Sequence, residues 1–411
     1  MSEITPAQMT TEPAADPAER PVVRLKAGAQ KRLMRGHPWV YSNEVRPDPS
    51  LRTLPLGTLV RLESDNGEAL GTACYNRLPL IAGRLLSPDP RAAIDADFIA
   101  ERLARALAIR EQLFEAPHYR LAHAEADGLP GLIVDRFGDA AVLQINCAGM
   151  ERLLEPILEA LDRTLSPSRI LLRNDSSARK TEGLEETVEV RRGSFDEPLE
   201  LIENGARYLA QPAEGQKTGW FFDQRENRAW IARFAKDARV LDGYCYSGGF
   251  AIQAALAGAR AVQAIDRSEG ALELARQAAT LNGVAERCSF KKAEAFGQLQ
   301  GLARNRESFE LVIVDPPAFM KSKKDLFQGA KGYRKLARLA TEVVAPQGIL
   351  FIASCSHHME PAAFADQVRR GIANAGRRAR ILRAAGAGPD HPVHPALPES
   401  AYLKALVLAL D

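Results

Sequence analysis

The sequence predicts an α/β protein with a small N-terminal β-barrel, a central α+β domain and a C-terminal sheet of seven strands. Two observations carry this prediction. From Arg239 onward, strand-like apolar runs alternate strictly with helical stretches, which is typical of a parallel sheet with helices on both faces. Between about Pro21 and Pro90, short apolar runs alternate with turn residues instead, which is typical of a small barrel or sandwich.

The composition is that of an ordinary globular protein. Apolar residues make up 46% of the 411 positions and charged residues 26%, and 54 basic residues nearly balance 52 acidic ones. This excludes a disordered or collagen-like chain, and no apolar run approaches the roughly 18 residues of a membrane-spanning helix. Five scattered cysteines without a CxxC pair argue against a zinc ribbon or a disulfide framework. We therefore expect reduced thiols, a cytoplasmic location, no membrane and no metal.

The N-terminal third is predicted to hold a tail and a barrel. Residues 1–20 contain no apolar stretch and are expected to form a disordered tail. Residues 21–94 are expected to form the barrel. Its strand-like runs are Val22–Leu25, Trp39–Tyr41, Gly57–Leu62 and Leu70–Ala73.

Residues 95–204 are predicted to form the central domain. It begins with a linking helix at Asp97–Glu115, in which Leu103, Leu107 and Phe114 recur at near-helical spacing. A second amphipathic helix, Met150–Leu165, lies between two pairs of strand-like runs. This order of elements predicts an open sheet with a helix on one face.

Residues 205–411 are predicted to form the C-terminal domain. Its last two strands lack a helix between them, so they would form a hairpin that places one antiparallel strand in the sheet. The seven strand candidates are Arg239–Asp242, Ala261–Asp266, Cys288–Lys291, Glu310–Asp315, Gly348–Ala353, Arg378–Leu382 and Leu403–Leu410.

A glycine-rich loop follows the first strand of this sheet. It runs from Asp242 through Tyr244, Ser247 and Gly248 into a helix, and its glycines let the backbone approach a ligand closely. The second strand ends in Asp266, whose carboxylate can accept hydrogen bonds from a ribose diol, as found in both NAD and S-adenosylmethionine. The loop lacks the GxGxxG spacing that holds a pyrophosphate, and the acidic Asp242 would repel one. S-adenosylmethionine is therefore the favoured cofactor.

Acidic residues also follow the third and fourth strands. Glu294, after the third, is expected either near the adenine or as a carboxylate at a helix N-terminus. Asp315 ends the fourth strand, and Pro316 and Pro317 after it make a rigid lip on the ligand crevice. Its carboxylate can accept a hydrogen bond from a nucleobase amino group.

Cys355 follows the fifth strand, just ahead of a helix that begins near Glu360. A helix N-terminus lowers the pKa of a thiol from about 8.5 and favours the nucleophilic thiolate. The alternative is a buried strand cysteine, but the coincidence with Asp315 at the same edge favours a functional one. His357 and His358 are expected to carry a proton or contact RNA rather than bind zinc.

Two local basic clusters predict nucleic-acid binding in a chain of balanced charge. Seven basic residues between Arg20 and Arg46 stand against a single acidic one, Glu44. Such clusters are typical of phosphate contacts. The predicted RNA-binding residues are Lys31, Arg32 and Arg35 in the first cluster, and Lys321, Lys323 and Lys324 after the Asp-Pro-Pro lip.

Several motifs carry a family resemblance from about Val22 to the C-terminus. They are Arg35-Gly36-His37-Pro38-Trp39-Val40, Asp127-Gly128-Leu129-Pro130-Gly131-Leu132, Gly215-Gln216-Lys217-Thr218-Gly219 with Phe222-Asp223-Gln224-Arg225, Asp315-Pro316-Pro317-Ala318-Phe319, Ser354-Cys355-Ser356-His357-His358, Gly388-Pro389-Asp390-His391-Pro392 and Leu397-Pro398-Glu399. In them the chain resembles the bacterial large-subunit ribosomal RNA cytosine-5 methyltransferases of the RlmI kind. The resemblance implies a PUA RNA-binding domain, a linking α+β domain and a class I, Rossmann-like methyltransferase domain. It also implies Cys355 as nucleophile, with Gln224, Asp242, Asp266 and Asp315 near the cofactor and the reaction site.

The expected reaction is methylation of carbon 5 of a cytosine in 23S ribosomal RNA through a covalent Cys355 adduct. The expected partner is large-subunit RNA, naked or partly assembled, and a homodimer is left open. Three alternatives stand beside it: an amino-group RNA methyltransferase using the Asp-Pro-Pro lip, a non-catalytic RNA-binding assembly factor, and an NAD dehydrogenase. Another RNA cytosine-5 family carries a second cysteine where this chain has Ala318, so a different base must remove the C5 proton.

Overall fold

The structure is a computed structural model that describes residues 17–215, 218–320 and 323–411. The described chain divides into two units. Unit 1 holds the described residues up to Asp196, together with Thr218 and Pro392–Leu397. Unit 2 holds Glu197–Gly215, Gly219–His391 and Pro398–Asp411. None of the helices in these described ranges is both long and apolar enough to cross a bilayer.

The N-terminal sheet of unit 1 consists of β1 (Val22–Arg24), β2 (Trp39–Tyr41), β3 (Thr58–Glu63), β4 (Ala69–Tyr75) and β5 (Ile81–Ser87), with the short helix α1 (Gln30–Met34) between the first two strands. The strand order is β1-β3-β4-β5-β2. Val23, Val60 and Leu62 point into its core and are buried. Strand β5 was not predicted, because its Ala82 and Gly83 have little preference for strands.

The central sheet of unit 1 consists of β6 (His118–His123), β7 (Leu132–Phe137), β8 (Ala140–Ile145), β9 (Arg169–Asn174) and β10 (Thr187–Arg192), in the order β10-β9-β8-β7-β6. Leu103 of its linking helix and Leu161 of a later helix are buried in one cluster with the strand residue Leu143, so both helices pack on this sheet. The predicted single helix at Met150–Leu165 is two helices, because the backbone at Leu153 leaves helical geometry (φ −96°, ψ 14°). The helices of this domain are α2 (Ala96–Leu113), α3 (Ala148–Arg152), α4 (Leu154–Thr164) and α5 (Ala178–Glu182).

A charged network joins the two sheets of unit 1. The guanidinium of Arg84, on β5, pairs with Glu125 at 2.8 Å and with Glu182 at 3.0 Å. The side-chain amide of Asn76 donates to the same Glu182 at 2.7 Å, and the indole of Trp39 donates to Glu125 at 2.8 Å. Breaking a largely buried pair leaves an unpaired charge that costs about 3–5 kcal/mol, so this network holds the N-terminal and central sheets together.

Unit 2 begins with a hairpin that the sequence analysis did not predict. Its strands, β11 (Leu199–Glu203) and β12 (Ala206–Ala210), pair antiparallel across Asn204 and Gly205. Both turn residues have positive φ, of 51° and 77°. Asn-Gly is a favoured pair for such a two-residue turn, so the signal was present in the sequence.

The large sheet of unit 2 is built from elements that alternate as predicted. They are α6 (Arg225–Ile231), β13 (Arg239–Gly243), α7 (Gly249–Leu256), β14 (Ala261–Asp266), α8 (Glu269–Leu281), β15 (Cys288–Lys292), α9 (Ala295–Arg304), β16 (Phe309–Val314), α10 (Leu326–Glu342), β17 (Val344–Ser354), α11 (Pro361–Asn374), β18 (Ala379–Ala385) and β19 (Lys404–Leu410). The strand order is β15-β14-β13-β16-β17-β19-β18. This is the predicted seven-stranded sheet.

The pairing within this sheet places several loops together. Strands β13 to β17 run parallel, so the loops after β13, β14, β16 and β17 meet at one edge, which we call the carboxyl edge. Strand β19 runs antiparallel to both β17 and β18, which confirms the predicted terminal hairpin. Ligands of open α/β sheets bind at the carboxyl edge, so the candidate site lies there.

Candidate active site

The loop after β13 holds an unusual backbone. Tyr244 and Tyr246 have φ values of 68° and 50°, and Gly248 has 84°. Left-handed geometry is uncommon for tyrosine and costs free energy. The loop therefore has a shape that packing must enforce, and its end at Gly248 leads straight into α7.

Asp266 enforces that shape from the end of β14. One of its carboxylate oxygens accepts the backbone N–H of Tyr246 at 3.0 Å, and the other accepts the backbone N–H of Ser268 at 2.9 Å. The backbone N–H of Cys245 also donates to the carbonyl of Ile265 at 3.0 Å. The sequence analysis placed Asp266 beside a ligand, and the structure adds a second task, which is to hold the glycine-rich loop.

Buried polar atoms without partners line this loop. Asp242 is 1% exposed, and neither of its carboxylate oxygens has a hydrogen-bond partner in the described chain. Burial raises the pKa of this carboxyl to about 8, and the carboxylates of Asp315 and Asp266 act in the same direction. The hydroxyls of Tyr244 and Ser247 are buried and unpartnered in the same described residues. An unpaired buried polar group is costly, so three together indicate a polar ligand.

Gln224 and Asp315 lie in contact. The side-chain amide of Gln224 donates to the carboxylate of Asp315 at 2.9 Å, and Asn227 in turn donates to the Gln224 side-chain carbonyl at 2.7 Å. Nearby, the hydroxyl of Tyr402 donates to Asp223 at 2.6 Å. Segment 223–227 therefore fixes the orientation of the Asp315 carboxylate at the end of β16.

Cys355 lies at the same edge, directly after β17. Its neighbours Ser354 and Ser356 are fully buried, whereas Cys355 is half-buried. The hydroxyls of Ser356 and Tyr333, on α10, share a hydrogen bond of 2.7 Å. The backbone N–H of Met320, from the segment after β16, donates to Ser356 at 3.4 Å. Because β16 and β17 are neighbouring parallel strands, Asp315 and Cys355 are one strand apart.

The other four cysteines are poorly placed for nucleophilic chemistry. Cys74 and Cys147 are buried in unit 1. Burial, together with the carboxylates of Asp242 and Asp266, raises the pKa of the Cys245 thiol well above its usual value. Cys288 begins β15, at the opposite edge of the sheet, and burial raises its pKa to about 11. Among the described residues, no group of three or more His, Cys, Asp or Glu could hold a metal ion.

Comparisons with known proteins identify the family of this chain. Residues 151–409 match the model of the S-adenosylmethionine-dependent methyltransferase family, and residues 23–88 match a PUA-like domain. Ribosomal RNA large subunit methyltransferase I of Aeromonas hydrophila is 37% identical over 394 residues, covering 94% of this chain and 98% of that protein. The chain belongs to this methyltransferase family. The enzyme of the same name from Pseudoalteromonas atlantica is 35% identical over the same share of each chain.

Solved structures share the fold. A protein assigned as a methyltransferase and crystallised with SAH superposes with a TM-score of 0.81 at 21% identity, covering 95% of this chain and all of that one. A Streptococcus mutans protein assigned as a SAM-dependent methyltransferase gives 0.79 at 22% identity, over 94% of this chain and all of that one. The family cofactor, S-adenosylmethionine, carries an ammonium group and hydroxyls. The unpartnered, buried atoms of Asp242, Tyr244 and Ser247 fit such a molecule.

Glu294 sits where the helix alternative placed it. It is the N-cap of α9, and its two carboxylate oxygens accept the backbone N–H groups of Phe296 at 3.1 Å and Gly297 at 2.7 Å. The side chain is exposed. A contact between Glu294 and the adenine remains a prediction.

The predicted RNA-binding residues divide into two groups. Lys31 and Arg35 are exposed on unit 1, whereas the guanidinium of Arg32 pairs with Glu44 at 2.6 Å and covers the ring of Tyr41. Counting charges along the sequence could not reveal this pairing. Lys324 is exposed in unit 2, whereas Lys321 and the side chain of Lys323 lie outside the described part of the chain.

Sequence reasoning gave no role to three residues beside Cys355: Tyr333, Ser356 and Lys404. The buried ammonium of Lys404 donates to the carbonyl of Ser356 at 2.6 Å. Its signal was a lone lysine at the head of the apolar run 405–410. Tyr333 carried no comparable signal, because an aromatic residue in an amphipathic helix usually belongs to the core.

Proposed function

We propose that this chain transfers a methyl group from S-adenosylmethionine to carbon 5 of a cytosine in 23S ribosomal RNA, through a bond between Cys355 and carbon 6. Relatives named for ribosomal RNA large subunit methylation, matched over nearly the whole chain, support the RNA substrate and a cytoplasmic reaction. One observation supports carbon 5 of cytosine as the methylated atom: Cys355 is half-buried at the carboxyl edge, one strand from Asp315.

The glycine-rich loop is the proposed cofactor site. In this proposal Asp242 accepts the methionine ammonium, Asp266 reaches the ribose diol, and Glu294 lies on the adenine side. Tyr244, Ser247, Gly248 and Gln224 complete the contacts, together with Asp315. The unpartnered oxygens of Asp242 are the strongest support, because a cationic group would offset the cost of burying that carboxylate.

Cys355 would provide the covalent catalysis that carbon 5 of cytosine needs. Its thiolate attacks carbon 6, a sulfur–carbon bond forms, and carbon 5 becomes nucleophilic. The cofactor, when bound, supplies the electrophilic methyl group. A base of the protein then removes the proton from carbon 5, and the electron pair returns to expel the thiolate.

Asp315 would hold the base for this attack. Its carboxylate is oriented by Gln224 and can accept a hydrogen bond from the cytosine amino group, which fixes the ring against Cys355. A base stacked within a helix cannot reach such a pocket, so the target must be single-stranded or flipped out. Exposed Lys31, Arg35 and Lys324, with Lys321 and Lys323, are the proposed phosphate contacts.

A Cys355→Ser variant tests the covalent step. A hydroxyl has a similar shape but hardly ionises, so methyl transfer should fall by several orders of magnitude while cofactor binding survives. Large-subunit RNA transcribed with 5-fluorocytidine should trap the wild type, because fluorine cannot leave as a proton does. Denaturing gels and peptide mapping should locate the bond at Cys355. The matched control is Cys288→Ser, at the opposite edge of the sheet, which should form the adduct normally.

The outcomes separate this proposal from its rivals. A fully active Cys355→Ser variant without any adduct would reject the covalent mechanism and favour amino-group methylation at the Asp-Pro-Pro lip. An adduct at Cys245 would show that Cys355 is not the nucleophile. Absence of S-adenosylmethionine binding in calorimetry would favour a non-catalytic assembly factor.

A further inference from the structure

Lys404 is a buried cation beside the reactive edge. It is the first residue of β19, the residue is about 6% exposed, and the strand register pairs it with Ser354 on β17. Cys355 is the next residue after Ser354. The inserted, antiparallel strand β19 therefore brings a lysine from the far end of the chain next to the cysteine.

The partners of this lysine are neutral. Its ammonium donates to the backbone carbonyls of Ser356 and Tyr402, each at 2.6 Å. Within the described residues, Lys404 forms no ion pair with a carboxylate closer than 4.0 Å. Burying an ammonium group costs several kcal/mol, and a carboxylate usually offsets this cost. Here backbone carbonyls hold the ammonium in place, and no carboxylate of the described residues pairs with it directly.

Two negatively charged groups near Lys404 favour the protonated form of its side chain. Burial lowers the pKa of Lys404, while the Cys355 thiolate and the Glu360 carboxylate raise it. Such coupling is reciprocal, so a cation that is favoured by a thiolate favours that thiolate equally. The titratable groups at this edge are Tyr333 from α10, Glu360 at the N-cap of α11, Asp315 after β16, Tyr402 before β19, and His357 and His358 from the loop of Cys355 itself.

Lys404 is the buried cation that lies beside these titratable groups. Glu360 opposes a thiolate, and Tyr333 is a buried phenol whose pKa is raised by burial and by Cys355. We propose that the ammonium of Lys404 holds Cys355 as a thiolate and fixes its loop, so that Lys404 is a positioning residue for the nucleophile. This inference rests on the function proposed above.

Alkylation kinetics test the inference without any methyl transfer. The rate at which iodoacetamide modifies Cys355 is followed from about pH 5 to pH 10 by peptide-resolved mass spectrometry. In the wild type the midpoint of this pH profile should lie below the ordinary thiol value of about 8.5. Lys404→Met should raise the midpoint, and modification near neutral pH should slow roughly tenfold when the midpoint rises by about one pH unit. Lys404→Arg should keep most of the effect, because the charge remains.

The control is Lys291→Met, which removes an exposed charge from β15 at the far side of the sheet and should leave the midpoint unchanged. S-adenosylmethionine affinity reports whether each variant is folded. A folded Lys404→Met variant with the wild-type midpoint would overturn the inference. If that variant does not fold, a wild-type midpoint at or above about 8.5 would overturn it equally.

The proposed function is tested separately by the fluorocytidine adduct. If the alkylation midpoint depends on Lys404 but Cys355→Ser still methylates fully, Lys404 favours the Cys355 thiolate and the covalent role of Cys355 is rejected. If an adduct forms at Cys355 but the midpoint does not depend on Lys404, the covalent role is supported and the effect of Lys404 is rejected.

Discussion

The buried carboxyl of Asp242 makes the stability of the ligand-free protein depend on pH. Its pKa is about 8 in the folded chain and has an ordinary value of 3.8. Between these values the folded state keeps a proton that the unfolded state has released, so stability is lost as the pH rises through this window. We expect the wild-type melting temperature to fall between about pH 5 and pH 8 by several degrees more than that of Asp242→Asn.

Comparing the two proteins removes the contributions that they share. The difference between their curves of melting temperature against pH reports Asp242 together with the neighbours whose pKa it shifts, such as Cys245. Parallel curves would contradict the assignment. In the cofactor complex the difference should shrink, because a bound ammonium group would return the carboxyl to its charged form.

At the scale of elements, the glycine-rich loop depends on β14 for its shape. Asp266→Ala removes the acceptor of the Tyr246 and Ser268 backbone N–H groups and the proposed diol contact. We expect the dissociation constant for S-adenosylmethionine to rise about tenfold or more, since hydrogen bonds to a charged group contribute roughly 1.5–3 kcal/mol. Calorimetry measures this directly.

Glu269→Ala provides the matched control. Glu269 is the first residue of α8, three positions along the chain, where its exposed carboxylate pairs with Arg276 at 2.9 Å. Exposed pairs contribute little, so cofactor affinity should stay within error of the wild type. An unchanged dissociation constant in Asp266→Ala would remove Asp266 from the cofactor site.

The sequence predicted the large sheet well for a physical reason. The central parallel strands, such as β13 and β16, hold short apolar runs that are mostly buried, and helical stretches separate these runs in regular alternation. The elements that were missed lack this property. Strand β5 contains Ala82 and Gly83, and the hairpin of β11 and β12 alternates buried with exposed residues.

The candidate site was predictable where it followed strand ends. Asp242, Asp266, Asp315 and Cys355 could be placed at one edge because parallel strands share a direction. Lys404 could not be linked to Cys355, because its position depends on the insertion of β19 between β17 and β18. Pairings such as Arg32 with Glu44 depend on tertiary structure in the same way.

At the scale of the whole molecule, RNA and cofactor binding should respond differently to salt. Phosphate contacts release counterions, with a slope of about −0.7 per contact for single strands. Removing both exposed cations in Lys31→Ala/Arg35→Ala should therefore reduce the slope for RNA by roughly 1.4. The control Arg105→Ala/Lys180→Ala removes two exposed, ion-paired cations of unit 1. Filter binding measures the RNA affinity at each salt concentration, and calorimetry measures the affinity for S-adenosylmethionine.

A cofactor affinity that falls with salt as steeply as the RNA affinity would contradict the prediction that the two ligands respond differently to salt. Equal slopes for the Lys31/Arg35 variant and the wild type would remove the first basic cluster from the RNA interface. The domain boundaries at residues 94 and 204 remain predictions that limited proteolysis can test, and native mass measurement can test whether the chain forms a homodimer.

The position of β19 also sets the order in which the enzyme is assembled during its own synthesis. Cys355 emerges 49 residues before Lys404, and until residues 404–410 follow, β17 has no partner on one edge and the cysteine has no cation. A chain still attached to a ribosome therefore carries its proposed nucleophile before the charge that activates it. Under the proposed function, the reactive edge is completed only after residues 404–410 have been made, so a nascent chain that lacks them has a less reactive cysteine toward the ribosomal RNA beside it.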